Sequence, residues 1–290
     1  MKLLTKFNII LLVVFGMGGL VISLVVRAFL IQNARREVFQ EADLMMASAR
    51  SVRQYTSSDV GPLLRHSAVR GHRFLAETIP FFAATTTFNS LRRQYPAYTY
   101  REAALNPTNL ADRADDWQTD IIEYLRNHPD EKRLSGERET ALGPSMYVAT
   151  PITAEQPCLE CHGRPAEAPH ALVAAYGSAN GFGWQAGSII GAEIVSVPMT
   201  VPLRKAREGF HLLLAYLAAT LIATMIVLDL GVYFIVLRPL KLVSDAADRV
   251  SKGETNNAPL PVRGGDEIAT LTAAFNRMQL SLAKALKMLE

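Results

Sequence analysis

Two apolar stretches decide the topology of this chain: residues 7–26, FNIILLVVFGMGGLVISLVV, and residues 210–237, FHLLLAYLAATLIATMIVLDLGVYFIVL. The first has no charged residue, and after Arg27 it continues to Ile31, whereas the second is interrupted by Asp229. Both stretches exceed the roughly 20 residues that a helix needs to cross a bilayer. The sequence therefore predicts two transmembrane helices, at residues 7–31 and 210–237, on either side of residues 32–209.

The charges near the first span predict its orientation. Lys2 and Lys6 precede the span, and basic residues favour the cytoplasmic side of a membrane. A cleaved signal peptide is the alternative, but its apolar core is usually about 7–15 residues and ends at an A-x-A-like site. We expect a retained anchor with a cytoplasmic N-terminus, which puts residues 32–209 outside and residues after Leu237 inside.

Asp229 lies inside the second apolar stretch, toward its cytoplasmic end. Carboxylates within a membrane are costly and often functional, but a hydrogen-bonded or water-reaching Asp near the interface is an equal alternative. Arg27 lies near the opposite face, so we expect no direct ion pair between Arg27 and Asp229.

Residues 158–162, Cys-Leu-Glu-Cys-His, form a CxxCH box that contains both cysteines of the chain. In such a box the two thiols add to the vinyl groups of haem, and the adjacent His becomes the proximal iron ligand. The box predicts one covalent haem c, attached through Cys158 and Cys161, with His162 on the iron. Because c-type haem is attached on the outer face of the bacterial inner membrane, the box also predicts a periplasmic domain.

The alternatives to haem fit the box less well. A structural zinc site usually needs four ligands, and the chain has no second cysteine pair. A thioredoxin-like CxxC opens a helix in a βαβ unit, whereas Pro157, Gly163 and Pro165 flank this box and predict a loop. The net charge of +3, without a basic stripe interleaved with aromatic residues, argues against nucleic-acid binding.

The pattern between the two spans predicts helices first and strands later. Three helices are expected, and two segments rich in β-branched residues read as strands. A glycine-rich turn at residues 181–184 precedes the second strand. The predicted helices cover residues 32–56, 79–95 and 112–127, and the predicted strands cover residues 145–152 and 188–197. The sequence therefore predicts an α+β fold.

The last 53 residues, 238–290, carry two short amphipathic helices. In the first, apolar residues recur from Leu240 to Val250 and Gly253 ends the helix. The second opens at residues 264–267, GGDE, and has apolar residues at heptad spacing. These are Ile268, Leu271, Phe275, Met278 and Leu282. Both seams need partners, which a parallel dimeric four-helix bundle supplies.

This tail resembles a HAMP domain, the relay module of bacterial transmembrane receptors. The matching points are Arg238-Pro239-Leu240, Gly253 and Asp266-Glu267-Ile268, within a match that covers residues 238 to about 282. A plain dimerising coiled coil is the alternative. The heptad seams and the resemblance predict a homodimer. Since no output segment follows within the 290 residues, we expect either a cytoplasmic output protein in trans (a kinase, a cyclase or a chemoreceptor-like protein) or a receptor that only relays.

Residues 36–200 resemble the monohaem c-type, PAS-like domains of cyanobacterial and proteobacterial membrane sensors. The matching stretches include IPFFAA at residues 79–84, YTYR at 98–101, NPTN at 106–109 and the box, with Trp184 and GAEIVSVPM at 191–199. The resemblance implies a PAS-like fold, one haem c on Cys158 and Cys161, His162 as proximal ligand, and redox or small-gas sensing.

The distal side of the iron stays open. One member of the resembled family has a cysteine-like distal ligand, but this chain has no third cysteine, so Met, His, water or an empty position remains. We favour Met45 or Met46 on the first external helix, followed by His66 or His72. The other candidates are His128, His170, His211 and Met146, of which His211 is at the membrane edge.

Three further residues are candidate haem contacts. Arg101 is a candidate partner for a haem propionate through charge-assisted hydrogen bonds, and Asn106 is a candidate contact at the haem edge. The alternative for Asn106-Pro107 is a loop closed by an Asx turn. Trp184 either stacks near the porphyrin or fills the core, and we favour the core.

The order of box, span and HAMP-like tail predicts a homodimeric, two-pass haem sensor of the bacterial inner membrane. Its architecture is a PAS-like periplasmic haem domain, residues 32–209, between transmembrane helices, followed by a HAMP helical bundle, residues 238–290. A membrane-anchored monohaem electron carrier for a respiratory or photosynthetic complex is the alternative. An enzyme is not expected, because no distal acid–base constellation can be identified.

Overall fold

The computed structural model describes residues 3–65, 74–254 and 258–288. Two compact units can be separated, one of residues up to Val26 together with residues from Phe210 onward, the other Arg27–Gly209. The second unit is a small antiparallel sheet with helices on both faces.

The sheet has four strands in the order β1-β4-β3-β2, with every neighbouring pair antiparallel. The strands are β1 Thr99–Ala104, β2 Leu134–Thr140, β3 Gly143–Thr153 and β4 Ile189–Pro198. In β4, alternate side chains point to opposite faces, and both faces are covered, so Gly191 to Val197 is buried throughout. Since β4 is central, its end positions whatever follows it in the chain.

One face of the sheet packs against α1 Leu3–Tyr55 and α3 Pro80–Arg92. Val38, Ala42 and Ala49 of α1 are fully buried there, because their spacing keeps them on one side of the helix. The remaining members of this core come from α1, α3, and β1, β3 and β4: Met45, Met46, Ala84, Phe88, Tyr100, Met146, Val148, Val195, Val197 and, just after β4, Met199.

The other face packs against α4 Asp116–Asn127, whose Ile122 and Leu125 are fully buried. Asp115 caps this helix: its carboxylate accepts from the Gln118 backbone N–H at 3.1 Å, and the Gln118 side chain accepts from the Asp115 N–H at 3.2 Å. Such a reciprocal capping box satisfies two backbone donors at a helix start. The sequence DDWQ thus fixes where α4 begins and which side it buries.

Several shorter helical segments complete the described chain. A π-helical turn Thr56–Val60 leads from α1 into α2 Gly61–Arg65. Single 3-10 turns are formed by Ala76–Thr78, Leu110–Asp112 and Gln156–Cys158, followed in the last case by α5 Leu159–His162, and α6 is His170–Tyr176.

Two helical stretches, Leu4–Leu64 and Thr200–Ser251, are long and apolar enough to cross a membrane. The second contains α7 Thr200–Val232, a π-helical turn Tyr233–Leu237 and α8 Arg238–Ser251. Asp229 accepts a hydrogen bond from the Asn8 amide at 3.0 Å. The sequence did not predict this contact, although it left a hydrogen-bonded Asp229 as one alternative.

The tail consists of α8 and α9 Glu267–Lys287. Val243, Ala246 and Val250 pack against Phe275, and Asn276 holds the connector by bonding both backbone groups of Leu260, at 2.9 and 2.8 Å. Gly253 has φ +95°, as expected of a helix-ending glycine.

The predicted fold class is confirmed: an antiparallel α+β domain lies between two long apolar helices, and the helices α8 and α9 follow. The sequence missed β1 and β2, and it predicted a loop for the box, which is helical. The domain boundaries and the PAS-like label stay predictions.

Candidate functional site

The CxxCH box lies on one helical turn beyond the end of β3. Cys158 ends the 3-10 turn that contains Pro157, and α5 then carries Cys161 and His162. Residues three apart on a helix share a face, so both thiols lie on one side of the turn. Both cysteines are partly exposed and neither is in a disulfide. The loop prediction was wrong, because the box is helical and the helix ends only after it, at Gly163. Pro157, which precedes the box, does not interrupt the helical turn.

The imidazole of His162 is held through Nδ1. Nδ1 lies 2.7 Å from the backbone carbonyl of Gly181 and 3.2 Å from the hydroxyl oxygen of Thr108. Because a carbonyl only accepts, Nδ1 carries the proton, and the neutral ring presents the lone pair of Nε2. Burial lowers the pKa of His162, and the bond to Gly181 opposes that shift. A neutral imidazole fixed by a carbonyl at one nitrogen is the form that ligates metals through the other.

Gly181 can approach the box because it has no side chain. Its φ is +78°, and a Cβ built on it would lie 2.0 Å from Thr108 Oγ1 and 2.6 Å from the Thr108 backbone nitrogen. Its own N–H donates to the Asn106 side-chain oxygen at 3.3 Å. Asn106 therefore contributes indirectly, by positioning the carbonyl that holds His162.

The segment after Gly181 is bonded to the box along its backbone. The Gly183 N–H donates to the Gly163 carbonyl at 2.8 Å, and the Trp184 N–H donates to the His162 carbonyl at 3.1 Å. The Trp184 indole stacks on the His162 ring, with centroids 3.9 Å apart and planes 10° apart. Trp184 is half-buried in this stack, so the core position that the sequence favoured is not where it lies.

A cleft of about 210 Å³ adjoins the stack, with Asn106, Arg126, Gly183 and Trp184 among its lining residues. Arg126 lies in the last turn of α4, and its Nε donates to the Ile189 carbonyl at 2.8 Å. This volume is smaller than the roughly 300–1,000 Å³ of typical small-molecule sites. A large planar group here would keep part of its surface in solvent.

Arg101 is engaged elsewhere in the described contacts. Its Nη2 donates to the carbonyls of Ala111 and Arg113, both at 3.1 Å. These bonds tie β1 to the 3-10 turn Leu110–Asp112. The proposed roles of Arg101 toward a propionate and of Asn106 at a haem edge stay predictions.

The predicted distal candidates lie apart from the described contacts of His162. Met45 and Met46 are 9% and 3% exposed in the core under α1, and Met146 is 8% exposed in the same core. His66 and His72 fall outside the described residues. His128 stacks on Tyr124 at the end of α4, His170 begins α6, and His211 lies on α7. The distal ligand stays a prediction.

Sequence reasoning missed Thr108, Gly181 and Arg126. A weak signal existed for two of them: Thr108 belongs to the NPTN stretch after β1, and Gly181 to the GFG stretch. Within the described parts of the chain, no group of three or more His, Cys, Asp or Glu side chains is arranged to hold a metal ion.

Comparison with known proteins identifies two regions. A model of the Tll0287-like family, described as Tll0287, matches residues 31–198, and a model of the HAMP domain matches residues 234–284. The first match covers more than half of the 290 residues. The HAMP domain indicates a role in signal transduction.

A solved chain, described as the cyanobacterial haem protein Tll0287, is similar to this one over 56% of this chain and 95% of its own. The two share 14% sequence identity, with a TM-score of 0.43. No curated protein matches the chain.

Proposed function

This chain belongs to the Tll0287-like family and carries a HAMP domain after the family's region; we propose that it is a membrane-anchored haem c sensor. The haem domain lies in the periplasm of a bacterium. A change at its iron, in oxidation state or in ligand, is relayed through the HAMP domain to a cytoplasmic partner. The observation that carries this proposal is the neutral His162, held at Nδ1 by Gly181 so that Nε2 is available for iron.

The residues of the box fit a covalently attached haem. Cys158 and Cys161 supply thiols for thioether bonds, and His162 supplies the axial nitrogen. The family model is named for Tll0287, and a solved protein of that name is described as a haem protein, which supports haem as the cofactor. When bound, haem would supply an iron whose oxidation state or ligation can respond to redox partners or small gases.

The chain itself provides a route from the box toward the membrane. Trp184 stacks on His162 and lies five residues before β4, which begins at Ile189. β4 ends at Pro198, and α7 begins two residues later at Thr200. A displacement of the His162 ring therefore acts on a segment that runs directly into the second apolar helix. This connection supports a relay through α7 to α8.

Exposed apolar residues support a homodimer formed through the HAMP helices. In the single chain Leu242, Leu271, Met278 and Leu282 are 54%, 44%, 55% and 41% exposed. Leu271, Met278 and Leu282 recur at steps of seven and four on α9, which places them on one face. A second copy of the chain would bury such a seam, as in a coiled coil. The signal that reaches the HAMP helices would then change how the two copies pack against each other.

Cross-linking of the HAMP seam tests the relay. The full chain with Leu271→Cys is placed in lipid nanodiscs, the iron is set oxidised or reduced, and a bismaleimide joins neighbouring copies. Because Cys158 and Cys161 are consumed by haem, the introduced thiol reacts selectively. We expect the cross-linked fraction to differ between the two iron states.

Two controls make this experiment decisive. Arg277→Cys places a thiol on α9 roughly a third of a turn away from Leu271 and should report only random collisions. Cys158→Ala/Cys161→Ala with Leu271→Cys should lose the redox dependence. Equal cross-linking in both iron states, with haem attached, would contradict a relay through the HAMP domain.

A further inference from the structure

A buried hydrogen-bond network lies on the α1 side of the sheet. Tyr100, Glu102 and Glu193 are 4%, 8% and 2% exposed. The Tyr100 hydroxyl contacts Glu193 Oε1 at 2.9 Å and also contacts Glu102 Oε1. Glu193 Oε2 in turn accepts from Arg53 and from Thr150, each at 3.2 Å. Two carboxyl groups are thus joined through one phenol inside the domain.

The number of hydrogens in this network is fixed by chemistry. A tyrosine hydroxyl has one hydrogen to donate, yet its oxygen is in contact with carboxyl oxygens of both Glu102 and Glu193. If both carboxyl groups were ionised, one contact would press a lone pair against a negative oxygen without a proton between them. One of the two glutamates therefore carries a proton and donates it to Tyr100.

The contacts identify Glu102 as the protonated member. Glu193 accepts from Arg53, Thr150 and Tyr100, and hydrogen bonds from donors stabilise the ionised form. The described partner of Glu102 is the Tyr100 oxygen alone. The order of donation is then from Glu102 to Tyr100 and from Tyr100 to Glu193, with Arg53 balancing the charge of Glu193.

Burial is the main reason why Glu102 keeps a proton. Burial raises the pKa of Glu102 to about 8, and Glu193 and the nearby Asp112 add to the rise, whereas Tyr100 and Arg53 oppose it. The helix α3 contributes apolar rings to this face, with Phe88 stacked on Tyr100 at 4.8 Å and Phe81 under the Arg53 guanidinium at 4.6 Å. Burial also raises the pKa of Tyr100, so the phenol stays neutral.

We propose that Tyr100, Glu102 and Glu193 form a proton-binding site, which holds one proton on Glu102 at neutral pH and releases it in alkaline surroundings. The ligand of the site is the proton itself. The site requires neither haem nor the box residues. The domain would therefore respond to two separate signals, the haem iron at His162 and a proton at Glu102.

Release of this proton acts on α1. With Glu102 ionised, two carboxylates compete for the Tyr100 hydrogen, and Arg53 contacts the network through Glu193. Arg53 lies in the last turn of α1, the helix whose first half contains the first apolar stretch. A change in how strongly the sheet holds Arg53 is therefore a change in the anchorage of that helix.

Infrared spectroscopy of the full chain tests the site, because only a protonated carboxyl gives a distinct carbonyl stretching band. Spectra are compared between about pH 6 and about pH 10 in wild type and Glu102→Gln. We expect a band from one buried carboxyl that disappears as the pH passes about 8. The wild-type minus Glu102→Gln difference isolates this band from any contribution of Asp229.

Two further variants separate the proposal from its competitors. Glu193→Gln removes the neighbouring negative charge, so the Glu102 band should disappear at a lower pH than in wild type. Glu137→Gln is the matched control, since Glu137 also links the sheet to α1, through Arg35 at 2.8 Å, but is exposed; it should leave the band unchanged. Cys158→Ala/Cys161→Ala should retain the band, so failure of the haem proposal leaves this one standing.

Either of two results overturns the proposal. The first is a wild-type chain without a carboxyl band that titrates. The second is a band that survives in Glu102→Gln and vanishes in Glu193→Gln, which would put the proton on the other glutamate. Should Glu102→Gln not fold, the direction of the shift in Glu193→Gln decides the matter.

Discussion

Gly181→Ala tests how tightly the loop must approach His162. The added Cβ would lie 2.0 Å from Thr108 Oγ1 and 2.6 and 2.7 Å from the Thr108 backbone nitrogen and Cα. Because real contacts of this kind begin near 3.0 Å, the added Cβ is short of contact distance by roughly 1 Å at the Thr108 hydroxyl and by about 0.4 Å at the Thr108 backbone nitrogen, so the hydroxyl must turn away and the loop must retreat. Such a shift lengthens and weakens the 2.7 Å bond between Gly181 and His162 Nδ1.

The cost has two parts that a matched variant can separate. A side chain at positive φ costs about 1–2 kcal/mol, and the overpacked contact adds about 1–3 kcal/mol. Gly187 has φ +84° and nothing within 4 Å of a built Cβ, so Gly187→Ala carries the first part without the second. We expect Gly181→Ala to be less stable than Gly187→Ala by about 2 kcal/mol.

Thermal unfolding of the full chain in nanodiscs, followed by tryptophan fluorescence, measures this difference. Both tryptophans, Trp117 and Trp184, lie in the unit Arg27–Gly209. For a domain of this size, 2 kcal/mol corresponds to a Tm difference of about 4–8 °C. Gly181→Ala should also change the absorption spectrum of bound haem, whereas Gly187→Ala should not. Equal melting temperatures for the two variants would refute the close approach of Gly181 to Thr108.

Three other predictions follow from the fold. Leu125→Ala, which empties a fully buried position on α4, should cost about 2–5 kcal/mol in the same melting assay, and a loss below about 1 kcal/mol would contradict the packing of α4 on the sheet. Asn276→Ala removes both hydrogen bonds to the Leu260 backbone and should destabilise the packing of the connector on α9 by about 1–3 kcal/mol. Proteolysis between α8 and α9 should then be faster, and an unchanged rate would contradict the role of Asn276 in holding the connector. Because the pKa of Glu102 rises from 4.5 to about 8 on folding, its contribution to the free energy of unfolding is full below about pH 4.5. That contribution should fall by about 1.4 kcal/mol per pH unit up to about pH 8, and the fall should vanish in Glu102→Gln; an identical pH dependence in both chains would refute the raised pKa.

The sequence predicted what depends on local pattern. The apolar stretches, α4, β3, β4 and the two tail helices each carry their own periodicity or capping residues, so their neighbours in space are not needed to recognise them. The strand β1 was missed because Glu102 interrupts it, and Glu is depleted in strands. Glu102 is tolerated here because its buried carboxyl group is hydrogen-bonded to the Tyr100 hydroxyl.

The edge strand β2 was missed for a different reason. Its sequence, LSGERET, is mostly polar, and its Gly136 would weaken an isolated strand. The glycine is favoured by a residue of the neighbouring strand, since a Cβ there would lie 2.7 Å from the Tyr147 hydroxyl oxygen and 2.8 Å from the ring carbon that carries it. Only the register between β2 and β3, which pairs Gly136 with Tyr147, reveals that need.

The candidate site shows the same division. The box is a local motif and was recognised at once, whereas Thr108 and Gly181 lie 54 and 19 residues away from His162 along the chain. Their roles follow from the antiparallel pairing of β1 with β4, which brings the segments after β1 and before β4 to the same end of the sheet. Such a meeting of segments cannot be read from spacing.

Covalent attachment of haem to the purified full chain is the most direct test of the central claim. The chain is expressed with c-haem maturation, unfolded in denaturant, and examined by intact mass and by its absorption spectrum after reduction. The account predicts one haem per chain that stays attached on unfolding and is lost in Cys158→Ala/Cys161→Ala. A chain that releases its haem in denaturant, or that never acquires one, would contradict the account.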